Sequence, residues 1–204
     1  LSLYRKDVLI KVGGFDEKNA TEDIEIAWRL LDRGYKIRMS QTKTYTNPPD
    51  TMKKWWRQRI RWNVGGIQTS LKYKNSMFKK GNFGFFILPI FTLSYVLTLL
   101  ALGLFIYLII VSVFNFVLFR LSAFFIGLNP FSNMSIDIIP NLFTFFGLAI
   151  LILSLMMLKY GLSGMKKSLK DWPAILIYLS IYLMIFPFLL VHSILKFIKG
   201  YNEW

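Results

Sequence analysis

Residues 51–82 read TMKKWWRQRIRWNVGGIQTSLKYKNSMFKKGN, and residues 83–119 continue FGFFILPIFTLSYVLTLLALGLFIYLIIVSVFNFVLF. The first stretch holds Lys53, Lys54, Arg57, Arg59, Arg61, Lys72, Lys74, Lys79 and Lys80 without one acid, and the second holds no charge. The break near residue 82 divides the chain between two solvents. Residues 1–82 carry 18 Lys/Arg and 8 Asp/Glu, a net +10, and residues 83–204 carry a net +4. With 54% hydrophobic residues, 17% aromatics and a mean hydropathy of +0.45, the chain is too apolar for an ordinary soluble domain. It reads as an integral membrane protein whose basic part meets anionic lipid headgroups on the cytoplasmic side. Nucleic acid is the other anionic partner for such charge, but the membrane already accounts for it, so none is expected. The absence of cysteine excludes disulfides and thiolate metal sites. The chain starts at Leu1, shows no signal peptide, and reads as the C-terminal part of something longer.

The basic stretch is helical by pattern. Thr51 can cap a helix reaching about residue 73, with Met52, Trp55, Trp56, Ile60, Val64, Ile67 and Leu71 near helical spacing. A basic, Trp-rich amphipathic helix beside an apolar run suits the headgroup level of a bilayer. Upstream, Val8, Leu9 and Val12 share a helical face that Gly13-Gly14 stops. Thr21-Glu22-Asp23 opens another helix that ends at Gly34, with Ile24, Ala27, Trp28 and Leu31 on its inward face. Residues 1–4, 35–38 and 42–46 have the pattern of short strands, and Asn47-Pro48-Pro49-Asp50 reads as a turn. Strand, helix and strand in this order predict an α/β fragment over residues 1–50, followed by an α-helical membrane region.

Two clusters carry possible chemistry. Glu22 and Asp23 suit the positive end of a helix dipole; alternatively, Asp23 faces a cleft as a general base, which a weakly nucleophilic sugar hydroxyl needs. Gln58-Arg59-Ile60-Arg61-Trp62 offers an amide, two guanidiniums and an indole, a set equally at home at a membrane interface.

The order Thr21-Glu22-Asp23, then Gln58-x-x-Arg61-Trp62, then membrane helices resembles the processive family 2 glycosyltransferases, which include cellulose, hyaluronan, chitin and poly-N-acetylglucosamine synthases. Val12-Gly13-Gly14-Phe15 resembles a segment often seen before their acidic motif. The resemblance implies that residues 1–50 are the C-terminal part of a cytoplasmic GT-A catalytic domain. It implies that Asp23, in the motif with Thr21 and Glu22, deprotonates the acceptor hydroxyl. It also implies that Arg61 lies near the donor diphosphate and that Gln58 and Trp62 contact the acceptor sugar. The implied partners are a nucleotide-sugar donor, a UDP-sugar by this likeness, a growing glycan and membrane lipids. A divalent cation, Mg²⁺ or Mn²⁺, is implied for the full enzyme. Its D-x-D ligands are expected upstream, so the 204 residues alone are expected to be inactive. A non-processive transferase to a lipid acceptor and a non-catalytic membrane anchor or transporter fragment are the alternatives.

Three crossings are expected, near 97–119, 138–158 and 174–195, with residues 83–96 interfacial or re-entrant because Pro89 divides the run. Lys159, Lys166, Lys167 and Lys170 place loop 159–172 in the cytoplasm, together with residues 1–82. Asn115, Asn141 and His192 are polar groups within apolar runs. Such groups make helix–helix hydrogen bonds or line a polymer path, and the first is the simpler reading.

Overall fold

A computed structural model describes residues 2–38, 40, 44, 46–79, 81–127, 152, 155, 156 and 171–201. Its elements in chain order are α1 (Lys6–Lys11), α2 (Glu22–Asp32), α3 (Met52–Lys72), α4 (Leu88–Phe125) and α5 (Asp171–Ile198). A 3₁₀ turn, Lys74–Ser76, and a π turn, Phe83–Ile87, lead from α3 into α4.

Local chemistry sets these boundaries. Thr51 caps α3 by accepting the Lys54 N–H at 3.3 Å. Helices α1 and α2 both end in the glycine motif that returns two N–H groups to the last turn. In α1, Gly13 and Gly14 (φ +92° and +73°) donate to Ile10 and Leu9; in α2, Gly34 (φ +82°) donates to Leu31 and Tyr35 donates to Leu30.

The expected α/β architecture is not found: among the described residues every regular element is helical and none is a strand. Residues 35–38 take no regular structure, nor do residues 2–4; of 42–46 only Thr44 and Thr46 are described, and neither is in a strand. A strand requires a paired neighbour as well as alternation. The Tyr35 N–H is instead spent on the cap of α2, and no described segment forms a ladder with residues 35–38.

The chain divides into two compact units, one of residues 1–106 and 182–204, the other of residues 107–181. In the first, α2 is buried on more than one side. Ile26 and Leu30 pack with Val12, Val8 and Leu9 around α1, while Trp28 packs with Tyr73, Phe83, Leu88 and Phe91. Trp28 meets Phe91 and Phe83 edge-on at 5.2 and 5.5 Å between centroids. A third cluster joins Ala20, Ile60, Val64 and Leu189, with Trp55, Trp56 and Ile185 against it. In the second unit the distal part of α4 has its apolar side chains exposed nearly all round.

Phe83–Phe125 and Ile175–Ile198 are long and apolar enough to cross a membrane. The segments expected near 97–119 and 174–195 lie on these helices. The one expected near 138–158 falls outside the described residues apart from 152, 155 and 156. Pro89 sits in the first turn of α4, where a missing N–H is tolerated, and the helix continues unbroken to Phe125.

Candidate functional site

The two motifs meet because α3 lacks side chains at one level. Thr21, 3% exposed, lies against Gly65: a Cβ there would stand 2.1 Å from Thr21 Oγ1. Arg61 and Gly65 are four residues apart, about one turn, so the start of α2 docks a turn beyond the Gln58–Arg61 level. The docking is polar as well as close. Ala20 N–H donates to Gln68 Oε1 at 2.9 Å, and Asn19 Nδ2 donates to Thr69 Oγ1 at 3.0 Å.

Thr21 holds the N-cap position, but its side chain does not cap the helix. Its N–H donates to Asn19 Oδ1 at 2.9 Å. Glu22 and Asp23 are exposed, and Asp23 Oδ1 accepts the Ile24 N–H at 2.9 Å. Among the described residues no cation pairs with Asp23.

Gln58 and Arg61 line an open cleft of about 960 Å³, with Lys53, Arg57 and, from α5, His192 and Lys196. Among the described residues no carboxylate lines it. Among the described residues neither the Gln58 amide nor the Arg61 guanidinium has a partner. Trp62 is not among the lining residues. It is 42% exposed, with the Arg59 guanidinium 4.4 Å from its ring centre and Trp55 also beside that guanidinium.

The sequence singles out Asp23 as the carboxylate of interest; Glu25, two residues on, is the buried one. It is wholly inaccessible, paired with Arg29, and receives Lys72 Nζ and the Tyr73 hydroxyl, each at 2.7 Å. Burial alone would raise its pKa, but the hydrogen bonds from Arg29, Lys72 and Tyr73 outweigh this and hold it below the ordinary value. Burial works against the Lys72 charge in turn, and the bonds to Asp16 and Glu25 carry its pKa above normal. Arg29 also donates to the carbonyls of Val12 and Gly14, at 3.0 and 2.8 Å, so the glycine turn, α2 and the end of α3 share one network. The i, i+4 spacing of Glu25 and Arg29 was its one legible sign.

These residues do not fit a divalent cation. Among the described residues no three His, Asp or Glu side chains converge on a point. Asp23 faces solvent, whereas the Glu25 oxygens are taken by cations and a hydroxyl.

Known proteins resemble this chain over much of its length. The family described as glycosyl transferase family group 2 matches residues 2–163. A probable glycosyltransferase, YdaM, of Bacillus subtilis is 40% identical over 76 residues, covering 37% of this chain and 18% of that protein. The poly-β-1,6-N-acetyl-D-glucosamine synthase of Staphylococcus aureus (strain COL) is 34% identical over 88 residues, covering 43% of this chain and 21% of that protein. The matched stretch thus spans about a fifth of the length of each relative. No solved structure matches the chain significantly.

Proposed function

The chain belongs to glycosyl transferase family group 2, and from that premise we propose that it supplies the acceptor side of an inverting, membrane-embedded glycosyltransferase extending a polysaccharide from a nucleotide-sugar donor. The observation that carries this reading is the seating of Thr21 on Gly65, one turn from Arg61. It brings the start of the acidic helix beside the basic cleft. In the proposed reaction the Asp23 carboxylate takes the proton of the acceptor hydroxyl. That oxygen attacks the anomeric carbon, and the bond to the diphosphate breaks as the glycosidic bond forms. The electron pair leaves with the diphosphate, which Arg61 receives with paired N–H donors. Exposure of Asp23 and its freedom from any described cation support its capacity to accept a proton. Gln58 and Trp62 are assigned to the acceptor sugar, the indole face matching the C–H face of a pyranose.

The name of the staphylococcal relative supports a polymer of N-acetylglucosamine type, and the UDP-sugar donor is taken from the family resemblance of the two motifs. The two apolar helices support insertion in the cell membrane with the basic residues 1–82 in the cytoplasm, and export of the growing chain through it. A Mg²⁺ or Mn²⁺ ion would take its ligands from residues other than those described.

The deciding experiment is Asp23→Asn in the whole enzyme. Donor binding and fold should persist while transfer falls by about a thousandfold, because an amide cannot take the hydroxyl proton. Transfer within about threefold of the parent would return Asp23 to a helix-end role.

A further inference from the structure

His192 stands on α5 within an otherwise apolar run and lines the basic cleft. Trp56 Nε1–H donates to its Nδ1 at 3.3 Å, with the rings 6.0 Å apart and tilted by 52°. An indole N–H can only donate. Nδ1 therefore carries a lone pair, and the ring proton sits on Nε2. That Nε2–H has no acceptor among the described residues. A donor fixed in this way, beside Lys53, Arg57 and Arg61 and, among the described residues, no carboxylate, suits an anionic oxygen. The positive potential of those side chains draws an anion to the cleft in preference to a neutral or cationic ligand.

We propose that His192 is an anion-binding residue of this cleft, donating Nε2–H to a phosphate-class oxygen that Arg61 also holds. The inference rests on the diphosphate role of Arg61 given above and extends that site to the C-terminal helix. Trp56 acts as a positioning residue, fixing the tautomer. Oxygens of this class belong to a nucleoside diphosphate or to a phospholipid headgroup, and the two sources separate by experiment.

Asparagine and glutamine divide the imidazole between them. In His192→Asn the amide oxygen would replace Nδ1 and keep the acceptor for Trp56 while removing the Nε2 donor. In His192→Gln the longer side chain restores a donor near the Nε2 position and loses that acceptor. Binding of UDP to the whole enzyme is measured in neutral detergent. Binding to vesicles of phosphatidylglycerol against phosphatidylcholine is measured separately. His192→Asn should weaken UDP binding about tenfold with an unchanged melting temperature, whereas His192→Gln stays within about threefold. The reverse order would mean that His192 serves only Trp56, and the proposal would fail. Unchanged UDP binding with tenfold weaker binding to phosphatidylglycerol vesicles would support the same contact with a lipid phosphate. No change with either probe overturns it. Arg61→Ala, run alongside, separates the two readings. Loss of UDP binding there, with neither probe affected in His192→Asn, removes His192 alone, and no loss there removes the diphosphate role of Arg61 first.

Discussion

Gly65→Ala tests the joint between the acidic helix and the basic cleft. The added methyl would stand 2.1 Å from Thr21 Oγ1, 2.6 Å from its Cγ2 and 2.7 Å from its Cβ, where real Cβ contacts stay beyond 3.0 Å. A gap of at least about 0.9 Å must therefore open. Rotating the threonine gives no relief, because it is β-branched and its Cβ is itself too close. The amino end of α2 has to move. Two energies oppose each other in stability: alanine for glycine inside a helix gains ~1 kcal/mol, and overpacking costs ~1–3 kcal/mol. The net loss is ~0–2 kcal/mol, so the protein stays folded. Transfer is more sensitive, since a shift of ~1 Å between reacting groups costs about a hundredfold. Gly66→Ala is the internal control. Its methyl meets Tyr95 Oη at 2.5 Å and the Phe91 ring from 3.0 Å, the far ends of long side chains that can swing aside. Initial rates of sugar incorporation by purified whole enzyme, read with thermal melts, should show about a hundredfold loss for Gly65→Ala and less than about threefold for Gly66→Ala. Equal rates in the two variants would refute the claim that the Thr21–Gly65 contact sets the site.

Trp62→Ala should slow elongation about tenfold, the worth of a ~1–2 kcal/mol stacking contact, while membrane association persists through Trp55, Trp56 and the basic residues. Normal elongation with weaker partitioning into vesicles would make Trp62 an interfacial anchor. Glu25 predicts the acid response. Its folded pKa is lowered from 4.5, so between the folded and unfolded values the unfolded chain binds more protons and stability rises with pH. Its contribution is complete above pH ~4.5 and is lost as pH falls through the lower folded value. Glu25→Gln should therefore be ~1–3 kcal/mol less stable at pH 7 and lose less on acidification. Parallel acid limbs in the melting temperatures of parent and variant would contradict this.

Much of the helical layout was legible because it is written locally. Gly13-Gly14 and Gly34 mark helix ends through backbone conformations that other residues resist, and Thr51 marks a start. The strand pattern misleads because period-2 alternation describes side chains and says nothing of a hydrogen-bonding neighbour. The inward face of α2 was half legible. Trp28 is buried as its spacing implies, yet Glu25, Ile26 and Leu30 are buried too, because α2 packs around α1 as well as against the end of α3 and the start of α4. One stripe cannot announce several partners. Gln58 and Arg61 could be picked out by their type and spacing, whereas the contribution of His192 depends on a hydrogen bond spanning 136 residues of sequence, which no local window contains.

The length of α4 has a mechanical consequence. Its first two turns are tied down: Leu88 is fully buried, Phe91 meets Trp28, and Tyr95 lies beside Gly66. The remainder up to Arg120, residues 96–119, is about 36 Å long at about 1.5 Å per residue, against a hydrocarbon core of about 30 Å. No charge interrupts the chain from residue 83 to residue 119. Placed across a bilayer, such a helix would have slack along the membrane normal: it could ride about 6 Å before Arg120 is dragged into oil. With α3 in its proposed position at the headgroups, its Trp and Arg side chains would set that depth. The distance of the basic cleft from a lipid surface would then be only as firm as those contacts.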